Sequence, residues 1–335
     1  MSKRRIQKVA VLGSGIMGSR IACHFANIGV QVLLLDIVPK ELSDAESAKG
    51  LTLEDKQVRN RIVNDSLKNA LKSNPSPVYH KGVSKLIQTG NFDDDLNLVS
   101  DYDWIMEVIV ERLDIKQGLF EKLDSIRKEG SLISSNTSGI PIHLMSEGRS
   151  EDFQKHFCGS HFFNPPRYLE LLEIIPGPKT SPEVVEFMMD YGKRFLGKST
   201  VLCKDTPAFI ANRIGVFNIM WMFHYIKENG WTVDEIDRLT GPLIGRAKSA
   251  TFRTTDVVGL DTLIHVANGL RENVPNDEAQ SLFEIPDYIA QMAANNMLGS
   301  KTNQGFFKKI KNEAGKSEIL TLNLDSLEYG PRQRP

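Results

Sequence analysis

From Lys8 to about Lys204, short apolar runs alternate with segments whose apolar residues recur at helical spacing. The runs are Lys8–Leu12, Gln31–Leu35, Trp104–Ile109, Ser131–Ser134, Gly159–Phe163, Leu169–Ile175 and Thr200–Cys203. Alternation of this kind predicts an α/β domain, a doubly wound and mainly parallel sheet with helices on both faces. Between Glu41 and Ser73 the apolar residues thin out to Val58, Ile62, Leu67 and Leu71 among Lys, Glu, Asp and Asn. That stretch predicts one or two exposed helices projecting from the sheet as an arm, ended by Asn74-Pro75-Ser76-Pro77. A solvated surface excursion is the plainer alternative.

The pattern changes at Lys204-Asp205-Thr206-Pro207. Thr206 can cap a helix and Pro207 fits its first turn, so a helix is expected from Ala208 to about Glu228. It is apolar nearly all round, which is the pattern of a buried helix. Further helical segments follow near Val233–Leu239, Gly259–Leu270 and Pro286–Leu298, with no clear strand between them. The expected organisation is therefore 1–204 for the sheet domain, with its arm at about 41–73, and 205–310 for a smaller all-helical domain. A charged tail or linker, 311–335, is expected to lead into further chain.

Composition narrows the function only by exclusion. The chain has 335 residues, is 41% hydrophobic and 25% charged, and carries a formal net charge of −1. Bulk electrostatics therefore give no reason to expect nucleic acid or a membrane surface as partner. No apolar run is long enough to span a bilayer, and the basic Met1–Arg5 precedes a sheet strand rather than a signal sequence. Cys23, Cys158 and Cys203 show no C-x-x-C spacing, which suggests thiols in a reducing cytoplasm.

The most specific motif closes the first strand: Gly13-Ser14-Gly15-Ile16-Met17-Gly18, followed by a helix, a second strand and Asp36. Gly13 permits the tight turn, Gly15 lets a pyrophosphate approach the backbone, and Gly18 lets helix and strand pack closely. The positive end of the helix faces the phosphates. Asp36 is placed for both ribose hydroxyls of an adenosine, and neither it nor Ile37-Val38-Pro39 welcomes a 2′-phosphate. The motif makes the sheet Rossmann-type and the expected cofactor NAD rather than NADP.

Four other groups bear on chemistry. Ser135-Asn136-Thr137-Ser138-Gly139 follows a strand, where residues line the ligand crevice of an open α/β sheet. Ser138 is equally placed to cap a helix starting at Ile140-Pro141. His161, in Gly159-Ser160-His161-Phe162-Phe163-Asn164-Pro165-Pro166, precedes Glu173 by twelve residues. Alone, a histidine in an apolar strand is a core residue. With a carboxylate on one nitrogen, the other is free to take a proton. Asn212 interrupts an apolar helix and needs a partner, in the backbone or in a cleft. Glu107 to Glu111, with Lys116, closes the strand beside which the nicotinamide half would lie. A histidine–carboxylate pair beside an NAD site removes an alcohol proton while hydride leaves carbon. No residue cluster has metal-ligand spacing.

Together these residues resemble the L-3-hydroxyacyl-CoA dehydrogenase family, over roughly Lys8 to Lys308. The resemblance rests on the glycine turn with Asp36, on Glu111 with Lys116, and on Ser135 to Ser138. It rests also on His161 to Pro165 with Glu173, Cys203 to Pro207 with Asn212-Arg213, Asp256 to Asp261, and Lys301-Thr302 with Gly305-Phe306. It implies His161 as general base, Glu173 as its orienting acid, and Ser138 and Asn212 as hydrogen-bond partners of the substrate's 3-oxygen. Asn164, Lys116, Glu111 and Lys301 would contact the cofactor, beside Gly13, Gly15, Ile16, Met17, Gly18 and Asp36. The arm, through Ser66 and Lys72, would reach the nucleotide end of coenzyme A. The implied reaction is NAD-dependent oxidation of (3S)-3-hydroxyacyl-CoA to 3-ketoacyl-CoA in fatty-acid β-oxidation, with the acyl-thioester in a cleft between the domains.

The stretch Gly241 to Arg253 departs from the family pattern, lacking its Gly-Pro-Phe-Glu, and looks like the variant in long multifunctional β-oxidation proteins. This chain then resembles the amino-terminal dehydrogenase part of such a protein, its helical domain completed by a homodimer partner or by a further domain beyond Pro335. Two alternatives stand beside this reading. One is a dehydrogenase of a small hydroxy acid or sugar acid, which Asn164-Pro165-Pro166 also fits. The other is an NAD-binding protein without catalysis.

Overall fold

A computed structural model describes residues 4–312 and 315–333. Its contacts divide the chain into two units, Met1–Phe209 and Ile210–Pro335.

The first unit is built on eight strands: β1 (Lys8–Leu12), β2 (Gln31–Asp36), β3 (Ile87–Asn91), β4 (Trp104–Glu107), β5 (Leu132–Ser135), β6 (Phe157–Phe162), β7 (Leu171–Pro176) and β8 (Ser199–Leu202). They lie in the order β3-β2-β1-β4-β5-β6-β7-β8. Every neighbouring pair is parallel except β6–β7. The sheet is thus mainly parallel and doubly wound, as expected. The chain leaves β1 toward β2 on one side and returns to β4 on the other, so the crevice opens above the carboxyl ends of β1 and β4.

Side chains alternate across each strand. Val9, Val11 and Met106 therefore meet Ile21, Ala22 and Phe25 of helix α1 (Ile16–Asn27) on one face. Ala10, Leu12 and Ile105 meet Leu119, Phe120 and Leu123 of the helix Leu113–Ile126 on the other. β3 was not expected: Ile87 is the one large apolar residue in Ile-Gln-Thr-Gly-Asn, enough for a sheet edge packed on one neighbour.

The arm contains three helices, α2 (Asp44–Ser47), α3 (Lys56–Arg59) and α4 (Arg61–Lys72). Its first helix buries no residue, but from Val58 onward it does not project. Val58 is fully buried, and Val63, with Leu67 and Leu71, joins the core shared by α1 and the sheet. One apolar face is sufficient to dock α4 against α1.

The helix expected from Ala208 begins at Ala211 instead. Ala208 and Phe209 take left-handed backbone conformations, φ 59° and 51°, in a turn where the Phe209 amide donates to the Thr206 carbonyl at 3.0 Å. That turn sends the Phe209 ring into the core of the first unit.

In the second unit the helix Ala211–Asn229 buries Val216, Met220, Phe223 and Ile226 but exposes Ile214, Phe217 and Trp221. It is buried on one face, not all round. Helices Val233–Leu239, Phe252–Val258, Leu260–Asn273 and Asp287–Ala294 complete the helical part, around the rings of Phe223, Phe252 and Phe306. Where a loose tail was expected, β9 (Phe307–Lys311), β10 (Ser317–Leu322) and β11 (Tyr329–Pro331) form a small antiparallel sheet. Burial of Phe307, Leu322 and Leu324 anchors it. Among the described residues no helix is long and apolar enough to cross a membrane.

Candidate active site

The glycine turn is a close backbone approach. Gly13 has φ +105°, and a Cβ there would stand 2.5 Å from the Val108 carbonyl oxygen; at Gly18 it would stand 1.8 Å from the Gly13 oxygen. No side chain fits either position. At Gly15 a Cβ would meet nothing within 4 Å, so that surface is open to a ligand. Ile16 and Met17 begin α1, whose first turn carries no acid. A cradle this bare, at a helix N-terminus, fits the diphosphate of a dinucleotide.

Asp36 ends β2 beside this turn. Its Oδ2 accepts from the Ser14 amide at 2.6 Å and from Ser14 Oγ at 2.5 Å, and its Oδ1 accepts from the Ile37 amide at 2.7 Å. The carboxylate is thereby locked in direction, and Ser14, unassigned in the sequence reading, is what locks it.

His161 and Glu173 are register partners across the β6–β7 ladder. Nδ1 of His161 lies 2.7 Å from Oε2 of Glu173. The histidine is 4% and the glutamate 0% exposed. A carboxylate only accepts, so Nδ1 carries the hydrogen and Nε2 is left as the acceptor. The ring packs on Phe163 and Phe209, with centroids 4.4 and 5.8 Å away. Asn136 Oδ1 accepts from the Phe162 amide at 2.9 Å and ties the end of β5 to the strand that carries the histidine.

From the end of β4 runs a chain of charge, buried at Glu107 and Lys116 and open to solvent at Glu111. Lys116 Nζ lies 2.6 Å from Oε1 of Glu107 and 3.3 Å from Oε2 of Glu111. Glu107 also accepts from Ser135 Oγ and, at 2.7 Å, from the Ile109 amide. Burial pushes the Glu107 carboxyl up, against the pull of Lys116 and Ser135. For Glu111 burial works in the same direction, but Lys116, Thr137 and Ser138 outweigh it and hold its pKa below the usual carboxylate value.

Oε1 of Glu111 accepts from Thr137 Oγ1 at 2.5 Å and from the Ser138 amide at 2.9 Å, which fixes the loop bearing Ser138. Ser138 is not a helix cap: the short helix there begins at Ile142, and Asp205 accepts from the Ile142 and His143 amides at 2.7 and 3.0 Å. The exposed Ser138 side chain is free for a ligand role. Lys116, by contrast, is spent on two carboxylates at 1% exposure.

The loop after β6 is held from several sides. The buried Lys198 donates to the Pro166 carbonyl and, at 2.7 Å, to that of Leu169. Arg167 donates to the Ser76 and Val78 carbonyls at 2.8 and 2.9 Å. Asn164, at the start of this loop, accepts from Arg20 at 2.5 Å. Ser66 lines a cavity with the glycine turn, whereas Lys72 is exposed and outside that lining. Asn212 and Lys301 belong to the second unit. There Asn212 is half-buried in the first turn of its helix, and Lys301 pairs with Asp261 at 2.5 Å.

Asn136, Glu107 and Ser14 lie inside motifs singled out in the sequence but received no individual role there. Arg20 was missed altogether, although it stands as a lone charge in the otherwise buried run Ser19 to Ala26.

Residues 8–206 match the family model described as 3-hydroxyacyl-CoA dehydrogenase, NAD binding domain, and residues 209–309 match 3-hydroxyacyl-CoA dehydrogenase, C-terminal domain. A probable 3-hydroxyacyl-CoA dehydrogenase of Bacillus subtilis is 49% identical over 99% of this chain, which spans only 41% of that protein's length. One of Deinococcus radiodurans is 45% identical over 95% of this chain and 87% of its own. The solved structure of (S)-3-hydroxybutyryl-CoA dehydrogenase PaaH1 from Ralstonia eutropha superposes with a TM-score of 0.70, at 27% identity, covering 90% of this chain and 98% of that one.

Proposed function

The chain belongs to the 3-hydroxyacyl-CoA dehydrogenase family, and from that membership we propose that it oxidises (3S)-3-hydroxyacyl-CoA to 3-ketoacyl-CoA. NAD, when bound, accepts the hydride that leaves C3. The observation that carries the reading is the His161–Glu173 pair, 2.7 Å apart on adjacent strands. His161 Nε2 takes the hydroxyl proton as the C3–O bond becomes a carbonyl, and Glu173 steadies the imidazolium that results. Ser138, on a loop fixed by Glu111, hydrogen-bonds the 3-oxygen. Asp36 accepts from the adenosine ribose, and the bare turn from Gly13 to Gly18 receives the diphosphate.

The setting follows from the same reading. Three free cysteines, all buried, suit a reducing cytoplasm. The apolar side chains that the helix Ala211–Asn229 leaves exposed suit a covering partner, a second copy or a further domain.

The test is NADH absorbance with 3-ketoacyl-CoAs from C4 to C16, set against free hydroxy acids. NADH consumption with the thioesters is expected. Turnover confined to free acids, or none with any substrate, overturns the proposal.

A further inference from the structure

A cavity of about 320 Å³ lies beside the glycine turn, between α1 and α4, lined by Ser14, Gly15, Ser19, Arg20, Ser66 and Asn69 among others. Arg20 is the one charged residue in that lining. It stands two residues past Gly18, half-buried between the buried Ser19 and Ile21. Among the described residues no carboxylate pairs with it. Its hydrogen bond goes to a neutral amide oxygen, Asn164 Oδ1, at 2.5 Å.

A guanidinium has five donors and keeps its charge at any working pH, so one amide oxygen satisfies little of it. The bond to Asn164 is open to solvent, so the guanidinium stays within reach of a ligand that carries the counter-charge. The field around it has the same sign, because the N-terminus of α1 has no acid in its first turn. Ser66 and Asn69 add uncharged hydrogen-bonding groups from the facing helix. The cavity is therefore built for an anion with several acceptor oxygens.

We propose that Arg20 is a phosphate-binding residue, gripping a phosphate group in the cavity between α1 and α4, and that this phosphate competes with Asn164 for the guanidinium. Binding would release the Asn164 amide for the reacting end of the site. The inference rests on the proposed reaction for its two phosphate sources, the diphosphate of NAD and the phosphates of coenzyme A. Planar, bidentate contact makes arginine suited to either.

Calorimetric titration of NADH and of free coenzyme A into wild type, Arg20→Gln and Arg20→Lys tests it. Arg20→Gln should weaken one of the two ligands about ten- to hundred-fold, with Arg20→Lys in between. The ligand that loses affinity identifies the source. At saturating NADH, the KM for acetoacetyl-CoA should rise only if that source is coenzyme A. The KM for acetoacetyl-N-acetylcysteamine, which has no phosphate, should stay put. Both affinities within twofold of wild type in Arg20→Gln overturn the proposal. So does an equal KM rise for the phosphate-free thioester, which a merely structural arginine would give. Wild type that binds both ligands yet reduces no thioester fails the proposed reaction and leaves Arg20 standing.

Discussion

Glu173 stands opposite His161 in the one antiparallel pairing of the eight-stranded sheet, and the two side chains meet there at 2.7 Å. The pair is set by backbone register and buried on both sides, not by a mobile loop. In its proposed role as base, a histidine so held needs no rearrangement before it takes a proton. His161→Gln should bind NADH as wild type does and lose about 10²–10⁴-fold in kcat. Glu173→Gln should keep NADH affinity and also lose kcat, because the amide neither fixes the tautomer nor stabilises the imidazolium. Stopped-flow turnover and NADH fluorescence titration separate the two quantities. Near-normal kcat in His161→Gln removes the proposed base.

The glycine turn offers a sharper contrast. Gly18 and Gly15 belong to one motif but are demanded for different reasons. A Cβ at Gly18 would collide with the backbone oxygen of Gly13 at 1.8 Å, and backbone cannot step aside cheaply. Gly18→Ala should therefore lower the melting temperature of the apoprotein, by the several degrees that 1–3 kcal/mol of overpacking produces, about 2–10 °C. Gly15→Ala has open space and should leave melting unchanged while weakening NADH, since its methyl group would stand where the proposed diphosphate contact is made. Calorimetry with and without NADH distinguishes them. Equal melting shifts in both variants would contradict the assignment of separate tasks.

Asp36 is oriented by two bonds from Ser14 before any ligand arrives. Removing the carboxylate should cost the ribose contact and relieve the repulsion of a 2′-phosphate together. Asp36→Ala should lower kcat/KM for NAD about tenfold or more, the worth of a charge-assisted hydrogen bond. The NAD-over-NADP ratio should fall further still. Ser14→Ala, which removes the Oγ bond but leaves the backbone amides of residues 14 and 37 on the carboxylate, should show a weaker form of the same change. A ratio unmoved by Asp36→Ala would mean that cofactor choice lies elsewhere.

The α/β order was legible because β1, β2 and β4 are near-continuous apolar runs, as strands buried on both faces must be. β3 was not, since an edge strand with Ile87 alone on its packed face leaves no run to read. The reversed direction of β7 leaves no trace in its residues either. Twelve positions of spacing name His161 and Glu173 without stating their cross-strand register. The Glu107–Lys116 pair was illegible for another reason. A lysine at 1% exposure is paid for by carboxylates from a strand and its following loop, and composition cannot reveal that meeting. The arm misled because sparse apolar spacing looks solvated, although Val58 and Val63 are enough to anchor it.

Acid should separate the two units through buried groups of opposite sense. His24, 4% exposed in α1, places Nε2 3.0 Å from the Leu196 carbonyl, so that nitrogen carries the hydrogen and Nδ1 stays buried without a partner. Burial, helped by the nearby Lys198, lowers its pKa to about 4. The unfolded chain titrates near 6.5, so between about pH 6.5 and 4 it binds the proton that the folded unit refuses. The stability this group confers is whole above pH 6.5 and is lost on the way down to 4, on the order of 3 kcal/mol. In the second unit burial raises Asp237 and Asp256 to about 6, against the amides that bind them. There the folded state holds protons more tightly between about pH 6 and 3.8, and stability rises as pH falls through that window. Amide hydrogen exchange read unit by unit, at pH 7 and at pH 4.5, should show the first unit loosening and the second holding. In His24→Leu the acid loss in the first unit should shrink. If His24→Leu retains the full acid sensitivity of wild type, this histidine is not its source.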